Sequence, residues 1–310
     1  RAFILWLADV IIQERVLINE SAKQNLPRYA EGKNLDSLSE IFHNVPRLEP
    51  EAAKTTLRFY LTKTLTEDFI ITDTMEVTVD GTINFDTVGH IIFKAGADYA
   101  DVPAVCTTAG EIGNGFLPGQ VDKLVSDEFL YFNEVMNITE TAGGSEAEKD
   151  AAYYNRMRES EESYTTAGSR GSYIYHAKSV SAQISDVSAE SPQPGVADIR
   201  IMLYNGELPD KELIDKVRDY LSGDEIRPMT DTVLVAAPDT VEFDINIKYF
   251  ISKEKELSTN DIKQAVALAV ENYILWQTSK MGRDINPSYF NAMLMESGIK
   301  RVEITAPVFT

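Results

Sequence analysis

Eleven of the first eighteen residues are large and apolar: Phe3, Ile4, Leu5, Trp6, Leu7, Val10, Ile11, Ile12, Val16, Leu17 and Ile18. On a helix they occupy more than one stripe, whereas a helix half exposed to water shows one. Such a segment needs neighbours on several sides, supplied either by other chains in a shared bundle or by the chain's own next domain. Ile4, Leu7, Ile11 and Ile18 approximate a heptad seam interrupted by Glu14, over too few repeats to make a coiled coil. Phe3, Ile4, Leu7, Ile11 and Ile18 are therefore the candidate interface residues. Asp9 breaks the apolar run, which falls short of the roughly 20 residues that span a bilayer. No membrane insertion is expected. The sequence opens on Arg1, directly in a helical pattern, so the native start is expected to precede it, and no signal peptide is detectable.

A length of 310 residues allows two or three domains, each with its own core. The formal charge of −20 makes the average surface repel phosphates, so no nucleic-acid partner is expected. The one cysteine, Cys106, excludes an internal disulfide and fits a reducing compartment.

The patterning divides the chain into an N-terminal helical segment (1–50), a β-rich domain (51–140), a helical connector (141–182) and a C-terminal two-layer α+β domain (183–310), an α+β multidomain fold. Asn34 is expected to cap a short helix ending before Pro46. From about Lys54 to Glu140, β-branched and aromatic residues dominate, and Asp80-Gly81 signals a two-residue hairpin turn. Gly143-Gly144 then permits a sharp turn. Ser145 and Glu148 form a Ser-x-x-Glu capping box, which predicts a helix from about Glu146. Gly168 is expected to end the helical run and Ser169 or Ser172 to begin the next helix, with Tyr173, Ile174 and Ala177 on one face. Further on, Val196–Leu203 reads as a strand, Pro209 opens a helix that Gly223 stops, and Val241–Tyr249 alternates strictly, as the clearest strand in the sequence does. Ile262, Val266, Ala269, Tyr273 and Trp276 face inward on a penultimate helix. Asn286-Pro287 and Gly298 bracket a last one, and a strand follows over Val302–Thr305.

Few residues are placed to do chemistry. His43, His90 and His176 lie in three different predicted segments with no second ligand at metal spacing, so no metal and no cofactor is expected. A Cys106/His90 pair has no supporting signature. Glu159, Glu161 and Glu162 diverge around a helix, whereas glycoside hydrolysis needs two carboxylates facing each other. Gly110-Glu111-Ile112-Gly113-Asn114-Gly115 lacks the lysine and hydroxyl of a phosphate-binding loop. No catalytic residue is assigned, and the chain is read as a non-enzyme. Tyr99, Phe116, Tyr131 and Phe132 could instead stack on sugars, with core packing as the alternative.

Three turn stretches, Gly143-Gly144-Ser145-Glu146, Thr165-Thr166-Ala167-Gly168-Ser169 and Arg227-Pro228-Met229-Thr230-Asp231, recur in an order that resembles the baseplate J family, the wedge proteins of contractile phage tails and R-type bacteriocins. Gly110-x-x-Gly113-Asn114-x-x-x-x-Gly119, Asn34-Leu35-Asp36-x-Leu38 with Val45-Pro46-Arg47, Arg156 and Arg158, Pro194-Gly195 and Ala237-Pro238 extend the likeness over about residues 25 to 250. At Ile70–Thr74 the chain departs from the family's turn, which Asp73 must make differently. Gly143, Gly144, Gly168, Arg227, Pro228 and Asp231 are thereby marked as family turn residues. The resemblance implies a structural wedge subunit in the baseplate of a phage or tail-like particle, assembled in the bacterial cytoplasm. Its implied partners are other wedge proteins, a second copy of itself, the sheath initiator and tail-fibre attachment proteins. The alternatives are a β-rich tail-tip receptor that binds glycans or, less favoured, a cell-wall hydrolase.

Overall fold

A computed structural model of the chain describes residues 1–164, 168–251 and 259–310. It divides into two compact units, Arg1–Met157 and Arg158–Thr310, and its architecture is α+β and multidomain.

The first unit begins with α1 (Ala2–Gln24) and the short α2 (Gly32–Leu38), which runs into a 3₁₀ turn at Ser39–Ile41. Glu31, not Asn34, occupies the cap position of α2, because Gly32 at φ +52° turns the chain into the helix three residues earlier. Eight strands follow: β1 (Ala52–Leu61), β2 (Phe69–Ile71), β3 (Glu76–Thr78), β4 (Asn84–Thr87), β5 (Ile91–Phe93), β6 (Tyr99–Ala109), β7 (Lys123–Leu124) and β8 (Phe132–Asn137). Six of them form an antiparallel sheet in the order β7-β3-β4-β6-β1-β8. Its two edges approach where Asn137 N–H donates to Val121 O at 3.1 Å, so the sheet is a nearly closed barrel. Period-two alternation sends Leu57, Phe59 and Leu61 of β1 inward to meet Val77, Phe85, Val102, Ala104 and Val135. The β2/β5 pair, in register from Phe69↔Phe93 to Ile71↔Ile91, adds its own side chains to that core.

The Asp80-Gly81 hairpin is present but wider than two residues. Val79 N–H reaches Ile83 O, and the Asp80 carboxylate accepts from Thr82 N–H, Thr82 Oγ1 and Ile83 N–H, which widens the turn by one residue. The predicted helix start at Glu146 is overturned: α3 spans Asp150–Glu159. Ser145 is not a cap. It exchanges both backbone hydrogen bonds with Glu51, while the Glu148 carboxylate binds Arg156 and accepts Leu48 N–H, so other partners take both members of the expected capping box.

In the second unit a 3₁₀ turn at Ser160–Tyr164 precedes α4 (Arg170–Lys178). Ser169 caps α4 by accepting Ser172 N–H at 3.1 Å; Thr165, Thr166 and Ala167 lie outside the described residues. A three-stranded sheet orders β11 (Thr232–Ala236), β10 (Val196–Leu203) and β9 (Ile184–Glu190), with β10 antiparallel to β9 and parallel to β11. Tyr173 and Ala177 of α4, and Leu213, Val217 and Leu221 of α5 (Lys211–Leu221), share its core. Asp210 caps α5, taking Leu213 N–H at 2.8 Å, one residue after the proline expected to open it.

A second small layer pairs β12 (Asn246–Phe250) with β13 (Arg301–Ala306) under α6 (Thr259–Thr278) and α7 (Pro287–Glu296). The long strand expected from Val241 is cut to its second half. Its partner ends at Ala306 opposite Asn246, so Phe243 and Ile245 still pack inward without a ladder and Val241 is 72% exposed. The C-terminal region thus holds two sheets, each with its own helices.

Candidate functional site

No residue of α1 is buried. Phe3, Ile4, Leu7, Ile11 and Ile18 are all exposed, from 42% at Leu7 to 69% at Ile4, and Leu5, Trp6, Ile12, Val16 and Leu17 are exposed beside them. The rings of Phe3 and Trp6, both on the helix, contact each other at 5.8 Å. Of the eleven apolar residues named for this helix, ten are therefore open to solvent and Val10 is half-buried. Among the described residues no helix is long and apolar enough to cross a membrane.

Behind this arm the chain enters and leaves the barrel side by side. Arg156 makes a bidentate pair with Glu148, Nε to Oε1 at 2.8 Å and Nη2 to Oε2 at 2.5 Å, and also reaches Pro46 O. Both side chains are about 95% buried, so each charge depends on the other. Arg47 lies over them, holding Asp36 and Asp150. Burial opposes the Arg47 charge, but hydrogen bonds to these two carboxylates outweigh it and raise its pKa above the ordinary value. The Tyr153 ring sits 4.6 Å from the Arg47 guanidinium and 5.7 Å from that of Arg156.

Two of the turn motifs close on each other here. Asn114 Nδ2 donates to Gly144 O at 2.8 Å, and Gly144 N–H returns to Asn114 Oδ1 at 2.9 Å. A Cβ on Gly144 would collide with Gly110 O, which is why the close approach requires glycine. Gly143, beside it, takes φ +86°.

In the second unit the remaining motifs converge in the same way. Asp231 Oδ2 accepts the Tyr173 hydroxyl at 2.9 Å, and Arg227 spans the turn by donating to Ser222 O and Asp231 O, both at 2.9 Å. Burial and then the Asp231 carboxylate push the Tyr173 phenol up. Gly168, at φ +74°, abuts Pro228 and Asp231 so closely that a Cβ would lie 2.9 Å from each. The motif residues are thus clasps between segments far apart in sequence. The sequence marked Arg156, Asn114, Tyr173 and Asp231 one by one, but the pairings of Asn114 with Gly144, of Tyr173 with Asp231 and of Arg156 with Pro46 O span thirty to 110 residues and leave no local pattern, and Glu148 looked like a cap.

The residues considered for chemistry are engaged elsewhere. Cys106 is buried, its Sγ beside Gly113. Glu159 takes Lys178 Nζ at 3.0 Å, and Glu162 accepts from Ser169 Oγ. Among the described residues no group of three or more His, Cys, Asp and Glu side chains is placed to hold a metal ion. Phe116, Tyr131 and Phe132 pack against the barrel core, and the face of Tyr99 is covered by the Arg58 guanidinium at 4.2 Å. These four rings form no flat open platform for a sugar.

Three family descriptions match the chain in order: the baseplate J-like protein barrel domain over residues 56–144, the baseplate J-like central domain over 165–237 and the baseplate J-like protein C-terminal domain over 243–308. The chain is also similar to baseplate protein J of Escherichia phage P2, with 33% identity over 162 residues, 52% of this chain and 53% of that protein. It spans about half the length of this curated relative. Among solved structures, a chain in the cryo-EM structure of the anti-feeding prophage baseplate is similar at TM-score 0.49 and 12% identity, with 100% of this chain and 81% of that one covered. A likeness of that strength carries no functional argument.

Proposed function

This chain belongs to the baseplate J-like family, and from that premise we propose that it is a non-enzymatic wedge subunit of the baseplate of a contractile injection particle, a phage tail or tail-like bacteriocin. In this reading it assembles in the bacterial cytoplasm with neighbouring wedge proteins and a second copy of itself, meets the sheath initiator and tail-fibre attachment proteins, and passes on the contraction trigger. Its working parts are residues 1–50 as the interface segment, 51–140 as the β domain, 141–182 as the connector and 183–310 as the C-terminal domain.

The observation that carries the reading is α1, a 23-residue helix with apolar side chains all round and none of them buried. Covering such a helix is a strong drive to association, at about 25 cal/mol per Å² of apolar surface removed from water. Charge supports the same end. Residues 1–24 hold three acidic and three basic side chains, Asp9, Glu14 and Glu20 against Arg1, Arg15 and Lys23, so the formal −20 sits entirely on the rest of the chain. Copies that repel through their bodies can meet through this neutral arm.

The triple variant Phe3→Asp, Leu7→Asp, Ile11→Asp tests the proposal. It is expected to leave the purified chain folded, with unchanged circular dichroism, and to abolish its incorporation into particles in an infected or induced cell. Normal incorporation of the variant would overturn the interface assignment.

A further inference from the structure

Between the exposed helix α1 and the barrel lies a short stretch of chain, Val45 to Leu48, held by hydrogen bonds and ion pairs besides the packing of Val45. Val45 O accepts the Tyr153 hydroxyl at 2.7 Å and Pro46 O accepts Arg156 Nη2 at 2.7 Å. Leu48 N–H donates to Glu148 Oε2 at 3.2 Å, while Leu48 O accepts Glu148 N–H at 3.0 Å. Arg47 Nη1 donates to Glu148 O at 2.6 Å. All of these bonds close on the segment from Glu148 to Arg156, about a hundred residues away in sequence, and none closes on a barrel strand.

The charges stand in two tiers. The inner pair, Glu148 and Arg156, is 6% and 5% exposed; the outer carboxylates, Asp36 and Asp150, are 43% and 40% exposed with Arg47 between them. The outer tier reaches the arm directly, through Asp36 on α2 and through Asp150, which accepts Gly32 N–H at 3.1 Å. Apolar packing at this root is thin. Five buried residues, Ala30, Leu35, Val45, Tyr153 and Met157, make its core, against sixteen in the barrel.

We propose that the Glu148–Arg156 pair, with Arg47 and its two carboxylates above it, is an ionic latch that pins the root of the arm to α3, and that removing its charge releases residues 30–48 as one unit while the barrel stays folded. An intact buried pair adds little net stability, but one member left without the other is an uncompensated buried charge, so the latch is either whole or costly. Local opening follows regions of thin apolar burial. The opening stops at Glu51, where the bridge to Ser145 and then the β1 ladder begin. The latch stands on the geometry of unit Arg1–Met157 alone, whatever particle the chain serves.

Hydrogen exchange followed by mass spectrometry on the full-length chain tests it. Glu148→Gln keeps the shape and removes the charge. Amides of residues 30–48 are expected to exchange faster by on the order of tenfold or more, with β1, β6 and β8 at wild-type rates. The double variant Glu148→Leu, Arg156→Met replaces the pair by apolar groups and is expected to restore much of the protection. Equal acceleration across arm root and barrel, no acceleration at all, or a double variant as exposed as the single one would each overturn the latch. If Glu148→Gln does not yield soluble protein, Asp36→Asn with Asp150→Asn opens only the outer tier. A smaller acceleration confined to residues 30–48 then supports the latch, and wild-type exchange there overturns it.

Discussion

Helix α1 and strand β1 are both rich in large apolar residues, yet one buries none of them and the other buries every second one. The difference lies in what each element finds within the chain. Leu57 and Phe59 of β1 face a closed set of partners from β3, β4, β6 and β8, because two ladders fix β1 between β6 and β8. Along α1 the apolar side chains point in every direction, and among the described residues no element buries any of them. Hydrophobic content by itself does not say which region is a core; the geometry of the available partners does. The proposed interface role of α1 rests on this contrast between a barrel with a buried core and an arm without one.

Truncating the barrel core is the hardest blow to this comparison. Phe59→Ala is expected to lower unfolding stability by about 3–5 kcal/mol, while Leu7→Ala on α1 stays within about 0.5 kcal/mol, both read from urea denaturation of the purified chain. Similar costs for the two would mean that the arm is covered after all. The glycine clasp comes next. Asn114→Ala leaves Gly144 N–H and O without partners and is expected to cost about 1–3 kcal/mol, whereas Asn19→Ala on α1 should leave the urea midpoint in place.

Smaller effects carry the comparison into the second unit, where local signals and tertiary partners agree. Asp210→Ala removes the cap of α5 and should cost about 1 kcal/mol by thermal denaturation. The smallest effect is a pH dependence at His176. Burial, only partly opposed by the nearby backbone carbonyl of Ser163, lowers the pKa of this imidazole below its ordinary 6.5. Above that value neither state is protonated, and the full stability is present. As pH falls below it, the unfolded chain binds a proton that the folded one resists, so stability declines until the folded pKa is also passed. His176→Gln should flatten that acid limb relative to wild type in denaturation midpoints measured from pH 7.5 down to about 5. Leu7→Ala should leave the limb unchanged.

Where burial and hydrogen bonding are both local, the residues announce the structure. Val196–Leu203 is a strand with the bounds its pattern predicts, and Ile262, Val266, Ala269 and Tyr273 line the inner face of α6 as their spacing requires. Asn286 caps α7 through Ser288 N–H and Tyr289 N–H, with Pro287 in the first turn. The expectations that gave way did so at points of competition. Ser145 and Glu148 have the spacing of a capping box, but Glu51 and Arg156 are stronger claimants for them. Val241 to Ile245 keep strand alternation, but β13 is too short to pair with them. The candidate site was legible in the same uneven way: the glycines and arginines of the motifs could be picked out, and what each one touches could not.

From the sequence alone came the α+β multidomain fold class, together with the excess of apolar residues at the start. These follow from periodicity and turn chemistry, which act over a few residues. Only the tertiary structure decided that no residue of the arm is buried among the described residues, that Glu148 and Arg156 neutralise each other in the interior, and that the C-terminal region holds two sheets. Burial and charge compensation depend on which distant segments meet, and a linear pattern carries no record of that.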